Sequence, residues 1–196
     1  EEWSDRVVYE RVLLARLTAC VDMGHAQALA KAVVAERVRA RLGAFVHTST
    51  FDVNALRNFF RAAQDHGVGI DLHIDEDLNP TAQGMSAVCN ILEELSFESH
   101  VACSHACALS AQPESVALHT LDAAAKLPIT LIACPMTNLL MGDAASADRT
   151  PRLRGFTLVK EARARCIPVL FGSDSAQDPY ISIGACDAME TLFAAV

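Results

Sequence analysis

The amino-acid sequence predicts an α/β fold assembled from parallel βαβ units, and three observations lead there. Short apolar runs alternate with helix-forming stretches along the chain, and strands joined by a helix-length crossover pair parallel. His73, His105 and Asp174 each fall at or just beyond the C-terminal end of such a run, the end at which parallel α/β folds carry their chemistry. The 196 residues, 52% of them hydrophobic, suffice for one domain over residues 1–196 with a proper core.

Taken in order, Trp3–Ala15 sets Val7, Val8, Leu13 and Leu14 among charged residues and reads as an amphipathic helix. Leu17–Val21 reads as a strand ending at Asp22. His25–Leu42 is Ala-rich and helical in character, with Gly43 as its C-cap. Ala44–His47 is a short strand, and Asp52–Gln64 a helix closed by the His66-Gly67 turn. The apolar run that starts at Gly69 and ends at His73 is a buried strand, followed by a loop carrying Asp75, Glu76 and Asp77. Gly84–Ser96 is a helix, and His100–His105 a second strand ending in histidine. Pro113–Lys126 is a helix with proline near its first position, and Pro128–Cys134 a strand closed by Pro135. Met141–Thr150 is a loop of small and polar residues. Phe156–Arg165 is a charged helix, Ile167–Phe171 a strand running into Gly172-Ser173-Asp174-Ser175, and a last helix begins at Ser182.

Composition narrows the function. A net charge of −8 without a Lys/Arg cluster argues against nucleic-acid binding and suits a small neutral or cationic ligand. No apolar run is long enough to span a bilayer and no signal-peptide layout is found, so no membrane association is expected. The seven cysteines are odd in number, scattered and free of any Cys-x-x-Cys pair. That is the pattern of reduced thiols in the cytoplasm, with no structural zinc site. A homo-oligomer is left open.

A histidine at a strand end is held by the sheet while its imidazole projects outward, and neutral imidazole ligates first-row metals. A lone histidine is more often a packed or hydrogen-bonded residue. The shared strand-end position of His73, His105 and Asp174 is what raises a metal or polar active site above that bland reading. His25, His66 and His119 read as surface residues and His100 as structural, while His47 ends a strand and is a weaker pocket candidate. Asp75 either solvates its loop or orients His73 from behind.

The stretches Asp71-Leu72-His73-Ile74-Asp75-Glu76, Ser104-His105, Pro135 with Asn138, Arg154 to Glu161, Phe171-Gly172-Ser173-Asp174 and Asp178-Pro179 follow one another in register. In this order and spacing the chain resembles the cytosine deaminases of the amidohydrolase superfamily, from about His47 to Val196 and more loosely over Thr18–Asp22. The resemblance implies a distorted (β/α)8 TIM barrel holding one divalent metal, zinc or iron. His73 would be a metal ligand and Glu76 the proton shuttle to the ring nitrogen. His105 would hydrogen-bond the hydroxide at the metal or stand near enough to join its ligands. Asp174 would ligate the metal and take the proton of the attacking water. The implied reaction is hydrolytic deamination of an amino-substituted heterocycle such as cytosine, releasing ammonia.

The chain departs from that family in three ways. It has no His-x-His pair, which in the family supplies two ligands from the first strand. About six strands are found against eight, the first and third being absent, one of them expected between the Gly43 helix and Ala44–His47. The barrel is therefore expected to be incomplete. Ser175 and Tyr180 stand where the pyrimidine-specific members carry Asp and Trp, and with Asn138 they are expected at the substrate. The alternatives are a cyclic-amide or triazine-type amidohydrolase and a non-catalytic relic of the fold.

Overall fold

The computed structural model describes residues 6, 8–36, 38–143, 149–150, 152–153, 155–179 and 181–195. Among these, six parallel strands form one sheet in sequential order: β1 (Arg11–Ala15), β2 (Ala40–Val46), β3 (Ile70–Ile74), β4 (Val101–His105), β5 (Ile129–Ala133) and β6 (Val169–Phe171). The crossovers carry α1 (Met23–Val34), α2 (Val53–Asp65), α3 (Gly84–Leu95), α4 (Glu114–Ala124), α5 (Pro135–Met141) and α6 (Val159–Ala164), and α7 (Ala188–Ala194) follows β6. Sequential order with right-handed crossovers puts the helices on one face of the sheet, as in a (β/α) barrel. The sheet is an arc of such a barrel.

Burial follows the two-residue period of the strands. Leu42, Ala44 and Val46 on β2, and Ile70, Leu72 and Ile74 on β3, are buried against the helices, while Phe45, Asp71 and His73 are not fully covered. On α2, Ala55, Leu56, Phe59, Phe60 and Ala63 form one buried stripe at helical spacing. Asp52 starts that helix by accepting hydrogen bonds from Asn54 N (2.8 Å) and Ala55 N (3.0 Å).

The elements from Asp52 to Cys134 form close to where the sequence predicts them, and the N-terminal part differs. The expected Trp3–Ala15 helix is replaced by strand β1, which pairs residue for residue with β2 from Arg11↔Ala40 to Ala15↔Ala44. Leu17–Val21 is a 3-10 turn, not a strand. Its buried residues, Leu17 and Cys20, are three apart, and Asn58 of α2 donates to the carbonyls of Cys20 and Val21, both at 3.1 Å.

The expected His25–Leu42 helix stops at Val34, and β2 begins at Ala40. Gly43 is no C-cap. It lies inside β2, where a Cβ would overlap the Val12 side chain of β1 and meet the Asp71 carbonyl oxygen of β3 at 3.1 Å. Among the described residues β1 is hydrogen-bonded directly beside β2, so the sheet has six strands against the eight of a closed barrel and is incomplete, as expected. Pro135, expected to close the strand, lies two residues beyond the end of β5 and opens α5 at its first turn. The helices expected from Phe156 and Ser182 are shorter, beginning at Val159 and Ala188. Of the expected Met141–Thr150 loop, Met141 belongs to α5 and residues 144–148 lie outside the described ones, as do Arg154 and Tyr180.

Candidate metal centre and ligand cavity

The C-terminal ends of β3, β4 and β6 meet over one cavity of about 680 Å³, lined among others by His73, Glu76, His105, Asn138, Asp174 and Ser175. One ligand atom from each of His73, His105 and Asp174 lies within 4.8 Å of those of the other two. Among the described residues, no second group of three His, Cys, Asp or Glu side chains is so arranged.

Each side chain reaches this point for a local reason. His73 alternates out of the helix-facing row of β3 and its ring packs on Phe45 at a centroid distance of 4.5 Å. His105 pairs in register with Ile74, and regular alternation would point it at the helices. Its φ of 72°, followed by 48° at Ala106, breaks the alternation at the last residue of β4. The His73 and His105 rings thereby come to 5.2 Å between centroids. Asp75 (φ 45°) and Asp174 (φ 52°) are also left-handed. Such conformations are costly for residues with a Cβ and gather at functional sites.

The electrostatics suit a cation. Burial, then the neighbouring His105, push the His73 pKa down, and burial does the same to His105. Both rings are therefore neutral near pH 7, the state in which imidazole ligates a metal. His73 Nδ1 and His105 Nε2 are buried without a hydrogen-bond partner, and a divalent ion satisfies such lone pairs beside a carboxylate. Glu76, half-buried and lining the same cavity, has its pKa raised by burial and by Asp174. Its Oε1 lies 3.6 Å from His105 Nδ1. The Cys134 thiol is pushed up to about 12 by burial and that of Cys107 is also raised, so neither is a thiolate at neutral pH.

Of the residues expected at the substrate, Ser175 and Asn138 line the cavity. Asn138 is only 4% exposed, and its amide meets His105 Nδ1 at 3.1 Å. His47 lines the cavity too, with Nε2 3.3 Å from Asp77 Oδ2. Asp75 does not orient His73: its carboxylate, 2% exposed, accepts from Gly84 N (3.1 Å) and Met85 N (2.8 Å) at the start of α3. Thr157 Oγ1 donates to the Ala106 carbonyl at 3.0 Å, tying the segment before α6 to the end of β4. Sequence reasoning missed Phe45, whose alternation with His47 on one strand was the available signal.

Comparison with known proteins decides the family. Residues 8–195 match the amidohydrolase family. The chain belongs to it. Pterin deaminase of Rhizobium rhizogenes strain K84 is 33% identical over 197 residues, which cover 100% of this chain and 44% of that protein. The structure of 5-methylcytosine deaminase from Klebsiella pneumoniae with 5-fluorocytosine aligns with a TM-score of 0.73 at 19% identity, over 95% of this chain and 52% of that one. N-isopropylammelide isopropylaminohydrolase from Burkholderia multivorans aligns with a TM-score of 0.65 at 24% identity, over 87% and 40%. This amidohydrolase chain thus spans less than half the length of the curated relative it matches, and its six-stranded arc corresponds to part of a barrel.

Proposed function

We propose that this amidohydrolase takes part in the hydrolytic deamination of a heterocycle bearing an exocyclic amine. The observation that carries this reading is the convergence of His73, His105 and Asp174 in one cavity that Glu76 also lines. His73 and Asp174 would hold one zinc or iron ion, with His105 close enough to join them. The bound ion would supply activation of a water near neutral pH.

The chain's own groups account for the proton traffic. Asp174 accepts the proton of the attacking water, and Glu76 delivers protons to the ring nitrogen and the departing amine. Water and the aminated ring give the oxo ring and ammonia. Burial and then the neighbouring Asp174 raise the Glu76 pKa, the direction that favours a proton-delivering carboxyl group. His105, close to both, orients the water or completes the ligand set. Ser175, Asn138 and Tyr180 are assigned to the substrate's surroundings.

The substrate class is an aminated pyrimidine-type ring, either free, as in cytosine, or fused, as in a pterin. The 33% identity to pterin deaminase over the whole chain supports the fused form. Seven free cysteines accord with a reducing, cytoplasmic setting. No helix among the described residues is long and apolar enough to cross a membrane.

The test is metal analysis combined with ammonia release by the intact polypeptide from pterin and cytosine and alkylamine release from an alkylamino-triazine. Bound metal with ammonia released from pterin or cytosine is expected. Release of alkylamine alone would move the activity to triazine-type rings. A chain that takes up no metal would leave a non-catalytic member of the family.

A further inference from the structure

We infer that Asn138 is a positioning residue that fixes the tautomer of His105, keeping the proton on Nδ1 and leaving Nε2 as a bare lone pair towards His73 and Asp174. This rests on reading the cavity as a metal site, although the tautomer itself is measurable without metal.

His105 is 1% exposed and a neutral imidazole carries a single ring proton. Two groups face Nδ1: the Asn138 amide at 3.1 Å and Glu76 Oε1 at 3.6 Å. With the amide NH2 towards the ring, Nδ1 is the acceptor and Nε2 carries the hydrogen. That arrangement sets the Nδ1 lone pair against the Glu76 oxygen whenever Glu76 is a carboxylate. It also leaves His105 Nε2 as a buried N–H group, and no hydrogen-bond partner stands beside that atom. A buried N–H donor without an acceptor, as Nε2 would be, is costly. The outer atom of the Asn138 amide lacks a partner in either orientation and does not choose between them.

Turning the amide by half a turn exchanges its oxygen and nitrogen. Asn138 Oδ1 then accepts from Nδ1–H, and the Glu76 oxygen faces a proton instead of a lone pair. Nε2 becomes an acceptor with nothing to accept, which is what a cation requires. Metal-bound histidines are commonly held this way, their other ring nitrogen donating to a carbonyl or carboxylate.

The backbone holds Asn138 for this contact. Its N donates to the Cys134 carbonyl at 3.0 Å, and its own carbonyl accepts from Gly142 N at 2.9 Å. Gly155, at φ 70°, passes so close that a Cβ there would come within 3.2 Å of the Asn138 carbonyl oxygen. The α5 turn is thus pinned from both sides, and the amide faces His105 with little freedom.

Two measurements test the inference on the intact polypeptide. In the metal-free protein, imidazole 15N shifts are expected to report His105 protonated on Nδ1; protonation on Nε2 would overturn the proposal whatever the activity. Zinc affinity, measured by competition with a chelator, is expected to stay near the wild-type value in Asn138→Asp, which keeps the acceptor. It should fall roughly 10–100-fold in Asn138→Leu, the range for losing such an outer partner. Equal zinc affinity in wild type and Asn138→Leu, or equal loss in the Asp and Leu variants with the fold intact by circular dichroism, would contradict it. Failure of all proteins to bind zinc while His105 still carries its proton on Nδ1 would count against the proposed function and leave the tautomer standing.

Discussion

Glu76 and Asp174 line the same cavity, yet the proposed reaction asks different things of them. Glu76→Gln keeps a neutral side chain of the same shape and removes the transferable proton. We expect it to retain metal and to lose about 10²–10⁴-fold in kcat. Asp174→Ala is expected to lose metal and activity together; full metal occupancy by elemental analysis would take Asp174 out of the ligand set. At this scale the candidate residues His73, His105, Glu76 and Asp174 were legible because each follows an apolar run at a strand end. The contact of His105 with Asn138 was not, because the two are 33 residues apart and meet through a short helix the sequence does not announce. Asp75 was read as solvating its loop or orienting His73 and not as a helix anchor, because its partners are backbone N–H groups that every sequence offers.

Helix α3 is fastened to β3 by that carboxylate. Burial raises the Asp75 pKa to about 6, with the Met85 and Gly84 N–H groups pulling the other way. In the unfolded chain an Asp titrates near 4. Between about pH 4 and pH 6 the folded state therefore holds more protons, and the Asp75 contribution to stability falls as pH rises through that window and levels off above it. Asp75→Asn cannot titrate. Its melting temperature, followed by circular dichroism from pH 4 to 7, is expected to lack this component, and a slope identical to wild type would refute it. Among elements, the helix over Asp52–Gln64 and the strands ending at His73 and His105 announce themselves by clear periods and caps. The boundary between α1 and β2 does not, because Ala-rich and Arg-rich sequence up to Leu42 suits a helix until pairing with β1 and β3 claims it.

Across the whole molecule, the six strands depend on close contact at the centre of the β1–β2–β3 part of the sheet. Gly43 is the narrow point, with Val12, Leu14 and the Asp71 carbonyl around the space a Cβ would fill. Gly43→Val is expected to cost roughly 1–3 kcal/mol of stability by overpacking, read as a lower urea midpoint at an unchanged m-value. A midpoint equal to wild type would show that β1 gives way without penalty. The same sheet carries the candidate centre at one end, so movement of β2 also moves Phe45 against the His73 ring.

The sequence alone determined the alternation of strand and helix, and with it the parallel sheet and the end at which polar residues gather. Those are consequences of local period and of the handedness of crossovers, which neighbouring residues specify. Only the tertiary structure decided that Arg11–Ala15 is a strand, that His105 turns at a positive φ to meet His73, and that Asn138 backs its ring. A five-residue apolar run has no preference strong enough to survive without partners, and which buried atom faces which is set by packing between segments far apart along the chain.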